Sequence, residues 1–197
     1  MALTLVRDER HLLTAIASEL AKVADWAPCW QPIDQPFGTA YADRIAAFTG
    51  WQSVSPMYLV SGQELRSVEF VLPSGRRAVV APQGVRPVPT WLWNVELEKE
   101  AATDELVTSG RVTARTALEE AVAQLSERLG PPMGEPAWVD PDGAPAGLMM
   151  GHPGFVVGWQ RKNGVVQVDV WEDAGYLVEP WAWEIHLRVR PDLGTAQ

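Results

Sequence analysis

Cysteine is nearly missing from this chain. Cys29 is its single representative among 197 residues. An internal disulfide and a thiolate-based zinc site are therefore both excluded, and the usage suits a reducing compartment. Histidine is scarce too, at three residues, His11, His152 and His186. They lack the short spacings of a zinc site, HExxH is missing, and so is the G-x-S-x-G nucleophile elbow. No apolar run approaches the 18 residues of a membrane span. The opening MALTLVRDERHLL is too short in its apolar part and too acidic for a secretory signal. Basic residues are outnumbered, 16 against 25 acids, giving a formal charge of −9 and a pI near 4.8. That balance argues against nucleic acid and an anionic membrane surface as partners. It fits a cytoplasmic protein, or one that meets a basic partner.

Tryptophan is what the chain has in excess: ten residues beside three tyrosines and four phenylalanines. An indole brings a large apolar area and one donor that wants a partner when buried. It suits a core, a pocket wall or a protein-binding face.

The periodicity along the chain predicts an α+β protein. Leu12, Leu13, Ile16, Leu20 and Val23 mark a helix over 8–26 with Asp8 as its cap, and a short helix over 39–48 is stopped by Gly50. Strands follow at 57–61, 67–72 and 76–81, the last two joined by a PSG turn. Residues 82–93, with three prolines, read as irregular or as an edge, and 94–100 as a strand. The segment 101–111 reads as a connection, and a helix over 113–129 is capped by Thr113 and ended by Gly130 and two prolines. Asn163–Gly164 joins two strands as a type I′ hairpin turn, which would set Trp159 opposite Val168 and Val157 opposite Val170. In the last strand, 183–190, Trp183, Ile185, Leu187 and Val189 alternate with Glu184, His186, Arg188 and Arg190. One buried and one wet face imply antiparallel sheet built from hairpins, with two or three helices packed on one side. The length suits a single domain, 1–197, whose halves 1–105 and 106–197 both run from helix into hairpin.

Three groups of residues are candidates for function. Glu96, Glu98 and Glu100 would share one face of a strand, where like charges call for water, a metal or a basic partner. Asp169 and Trp171 share a strand phase, with Glu172 and Asp173 adjoining; an aromatic among acids is an interface-like mixture. His152, Trp91, Trp93 and Trp181 lie beside prolines or glycines, where loops could fold them into a pocket. No cofactor is implied.

The motifs FTGW at 48–51 and LGPP at 129–132, with the alternation around 155–171, resemble small proteins of high-GC Gram-positive bacteria, some of them immunity partners of secreted polymorphic toxins. The resemblance implies a stoichiometric protein binder that blocks a toxin, and an acidic, Trp-bearing face would suit a basic one. The alternative from the residues themselves is a small-molecule binder or a hydrolytic enzyme with a tryptophan-lined pocket.

Overall fold

The structure, a computed structural model, describes residues 3–30, 40–59, 66–81, 84–88, 91–133, 137–138, 152–173 and 180–192. Its elements run β1 (Thr4–Asp8), α1 (Arg10–Ala21), α2 (Ala27–Trp30), α3 (Ala40–Thr49), β2 (Gln52–Leu59), β3 (Arg66–Val71), β4 (Arg77–Ala81), β5 (Gly84–Val88) and β6 (Trp91–Leu97). A 3₁₀ turn at Lys99–Ala101 leads into α4 (Asp104–Leu129), then β7 (Ala137–Trp138), β8 (His152–Arg161), β9 (Gly164–Asp173) and β10 (Trp181–Pro191). All pairings are antiparallel, in the order β2-β3-β4-β5-β10-β9-β8-β7. β10 is the hinge of the sheet. One of its edges runs along β9; the other pairs first with β6 and then, at Val189, with β5. β6 carries β1 on its far side. This is the α+β architecture that the alternating strands imply.

Cross-strand neighbours share a face, so the register sorts the side chains. Trp159, Val166, Val189, Val85, Val80 and Val68 are linked in turn across six strands, and all are buried. The helices pack on this face. α1 buries Leu13, Ile16, Ala17 and Leu20, spaced at three and four. α4 buries a narrower stripe that includes Gly110, Ala114, Ala117 and Ala121. Its small residues let the helix lie close: a Cβ on Gly110 would sit 2.3 Å from the Trp183 ring.

That closeness corrects the expected helix over 113–129. α4 begins at Asp104, and Thr103 rather than Thr113 is its cap, accepting from the Leu106 amide at 3.3 Å. Gly110 weakens a helix by about 1 kcal/mol relative to alanine, so 101–111 looks like a break; its contact with Trp183 is why the glycine stands there. The N-terminal helix is also shorter than its pattern. Residues 4–8 form edge strand β1, Glu9 stands at the cap position, and α1 stops at Ala21. Trp26 lies beyond it, fully buried. The stretch 82–93 supplies β5 and the start of β6, with Pro87 in β5.

The β8–β9 hairpin forms, but its register differs by two residues from the expected one. Trp159 faces Val166 and Val157 faces Val168, so the loop residues are Lys162 and Asn163. Asn163 alone takes the left-handed conformation, with φ 58°. Gly164 is a strand residue instead. A Cβ there would lie 2.8 Å from the Trp26 ring, so it is a glycine because an indole rests on it. The turn is also held from outside: Asp25 accepts from the Asn163 amide at 2.8 Å and pairs with Lys162 at 2.8 Å. A shift of two keeps every side chain on its intended face.

Candidate functional site

The described helices that contact β6, β10 and β9, namely α1 and α4, pack on the side of Trp183 and Glu172 rather than on the opposite face. The opposite face carries Asn94 and Glu96 from β6, Glu184, His186 and Arg188 from β10, and Gln167, Asp169 and Trp171 from β9. The register sets Asn94 beside Glu184, Glu184 beside Trp171, His186 beside Asp169 and Arg188 beside Gln167. The side chains lock together pairwise. Asn94 donates to Glu96 Oε1 at 3.0 Å, and His186 Nε2 lies 2.8 Å from Glu184 Oε2. Gln167 donates to Asp169 Oδ2 at 2.8 Å, and Arg188 forms an ion pair with the same oxygen. Trp171 closes the group, with its ring 5.6 Å from that of His186 and the Arg188 guanidinium 5.4 Å from its centroid.

The depth of this polar layer is unusual. Asp169 is fully buried, and Asn94 and Gln167 are 4% and 6% exposed. Glu184, His186 and Arg188 are half-buried above them. A buried polar atom left unmatched costs about 1–3 kcal/mol. Yet Asp169 Oδ1, Asn94 Oδ1, Arg188 Nε and Trp171 Nε1 are all buried with no hydrogen-bond partner among the described residues. These four atoms, two acceptors and two donors, fall in one cluster.

The residues singled out from the sequence are dispersed differently. Trp171 and Asp169 do share a face, with Gln167. Glu172 does not: it turns to the helix side, where Arg111 of α4 grips it with two bonds of 2.9 Å. Asp173 ends β9 and is exposed. Glu96 belongs to the polar layer, whereas β6 stops at Leu97, so Glu98 and Glu100 are not on the strand face with it. They lead into α4, where Asp104 and Glu105 occupy the first turn and complement the helix dipole. Of the expected pocket group, Trp93 and Trp181 have described side chains. Trp93 is buried on the helix side, and Trp181 stacks on Trp183 with ring centroids 6.3 Å apart and donates to Glu172 at 3.2 Å. The side chains of Trp91 and His152 lie outside the described residues. His11 is exposed on α1.

Sequence reasoning missed Asn94, Glu184, His186 and Arg188 as site residues. The alternation of the last strand placed the β10 trio on the wet side. What it lacks is any sign that β10 is central, so that its wet side meets polar residues from strands on both edges.

A concavity lies on the helix side. An open groove of about 460 Å³ runs between β1 and α4, with Leu3, Leu5 and Val112 on its walls and Trp93 and Val95 along its floor. Leu5 and Val112 are more than half exposed. Its one charged feature is the ion pair of Arg10 with Glu120, at 2.7 Å. Cys29 offers no nucleophile, because burial pushes its thiol up to about 12. Among the described residues no three of His, Cys, Asp and Glu meet as a metal site requires, and no helix is long and apolar enough to cross a membrane. No protein-family model, curated protein or solved structure matches the chain.

Proposed function

We propose that this is a non-enzymatic binding protein, cytoplasmic, which docks a partner protein on the face of β6, β10 and β9 that carries Trp171. The observation that carries the reading is the polar layer around Trp171, with four atoms unmatched among the described residues, on a sheet face where no described helix packs. Tryptophan and arginine are the residues that most often anchor protein interfaces, and here Arg188 is seated on Trp171 at the centre of the cluster. Half-buried side chains over a buried, hydrogen-bonded base are already ordered, so a partner meets a surface that loses little entropy on binding. The toxin-blocking role implied by the resemblance is one form of such stoichiometric binding. Its charge logic changes, however, since Asp169 is matched by Arg188 and Glu172 is committed to Arg111 on the other face.

The enzyme alternative has one observation in its favour, the Glu184–His186 pair at 2.8 Å, which orients an imidazole as a base would be oriented. Among the described residues, Trp171 is the tryptophan whose ring lies beside that imidazole. The binding reading is tested by capture from the native host on tagged protein, comparing wild type with Trp171→Ala. A partner should be retained by wild type and lost by the variant at unchanged fold. Equal retention by both, or by neither, would sink the proposal.

A further inference from the structure

The face that carries Trp171 continues past Arg188 to the Pro191 end of β10. There Val189 faces Val85 across the β5–β10 pairing. In an antiparallel ladder this sets Arg188 towards Arg86 and Arg190 towards Gly84, so all three arginines leave the sheet on the same face as Trp171. Arg86 and Arg190 are diagonal neighbours, about 7–8 Å apart and within reach of long side chains. Arg188 is committed to Asp169. The other two are exposed, and among the described residues neither lies within ion-pair distance of a carboxylate. The nearest acids along the ladder are engaged elsewhere. Asp192, two residues beyond Arg190, accepts from Gln160 of β8 at 2.6 Å, and Glu69, two strands from Arg86, is held by Arg77 at 3.0 Å. In a chain with 25 acids to 16 bases, two adjacent cations without a counter-charge stand out. Like charges that close repel, and an anion between them relieves the repulsion. The ground around them is apolar: Val79 is the cross-strand neighbour of Arg86, Val165 that of Arg190, and Val88, 40% exposed, follows Arg86 by two. Arginine on apolar ground near a tryptophan is the mixture that protein interfaces favour, and a guanidinium fork matches a carboxylate with two parallel bonds.

Resting on the binding face proposed above, we infer that Arg86 and Arg190 form a seat for an acidic side chain, Asp or Glu, of the protein partner, alongside the Trp171–Arg188 pair. The partner is thus chosen by a carboxylate set opposite these arginines, and its contact surface at this end is acidic rather than basic.

The test titrates the intact protein with acetyl-Glu-Gly-Glu-amide, and with acetyl-Gln-Gly-Gln-amide as its uncharged match, at ionic strength held constant with sodium chloride. The side-chain Nε–Hε resonances of Arg86 and Arg190 report occupancy. They should shift saturably with the acidic peptide and stay still with the neutral one. Arg86→Gln, at an exposed position, should weaken the response at Arg190 about tenfold with an unaltered melting temperature. Arg128→Gln, in the last turn of α4, should leave it as in wild type. No saturation to about 50 mM peptide, an equal response to the neutral peptide, or an equal midpoint in Arg86→Gln overturns the seat. Capture from the native host separates the two levels. If Trp171→Ala abolishes capture while the double variant Arg86→Gln, Arg190→Gln retains the partner in full, the face stands and the seat falls. If the double variant loses the partner and Trp171→Ala keeps it, the seat stands and the centring of the face on Trp171 falls. A dimer in sedimentation velocity that the double variant dissolves would make a second copy of this chain the occupant and overturn the assignment to a different protein.

Discussion

The two faces of this sheet are made of the same backbone and opposite materials. On the helix side, Trp183, Ile185, Leu187 and Val189 of β10 are at most 1% exposed and close under α1 and α4. On the other side, Glu184, His186 and Arg188 of the same strand sit over Asp169, Gln167 and Asn94, held by ion pairs and amide bonds. One side is an apolar core; the other is a buried polar layer. The contrast teaches that burial alone does not make a core. Asp169 is as buried as Trp183, but its place depends on its partners Arg188 and Gln167.

The comparison is broken most severely on the covered face. Trp183→Ala removes a fully buried indole and should cost about 3–5 kcal/mol in urea denaturation. Trp171→Ala, the same change on the other face, should cost about 1 kcal/mol, its seat for Arg188 being the main loss. Similar costs at the two positions would erase the distinction between the faces. Asp169→Ala comes next. It leaves the Arg188 guanidinium, 19% exposed, without its buried partner, and about 2–3 kcal/mol should be lost. The double variant with Arg188→Met should recover part of that, a coupling readable in a double-mutant cycle. Gly110→Ala follows. A helix interior ordinarily gains about 1 kcal/mol from this change; here the methyl meets the Trp183 ring, and overpacking of about 1–3 kcal/mol should reverse the sign. The smallest effect is acid sensitivity at the hairpin clasp. Asn163 and Lys162 hold the Asp25 carboxyl down to about 2 from its ordinary 3.8. A lowered folded pKa stabilises above the unfolded value, and the gain is lost as pH falls from about 4 through 2. Asp25→Asn should flatten that part of the pH–stability profile.

Much of the fold is legible in the residues. The alternation of 183–190 shows which side of β10 faces the core, and apolar spacing at three and four locates α1 and the body of α4. The errors share a cause, which is tertiary contact overriding a local signal. Gly110 and Gly164 read as a break and a turn, and both are glycines because an indole lies against them. Edge strand β1 is five residues long and largely exposed, so it has no burial pattern to announce it. The site was half legible. Asp169 and Trp171 share a phase that the sequence displays. Asn94 joins them only because β6, far away in the chain, lies along the other edge of β10, and nothing in a local pattern carries that pairing.

The tryptophans supply the most direct measurement. With the captured partner in hand, the ¹⁵N–¹H indole resonances of the protein are compared free and bound. The Trp171 resonance should shift or broaden on binding, while those of Trp159 and Trp183, sealed beneath the helices, hold their positions. A shift at Trp93, on the floor of the groove between β1 and α4, with Trp171 unmoved would place the partner on the opposite side of the sheet and contradict the account.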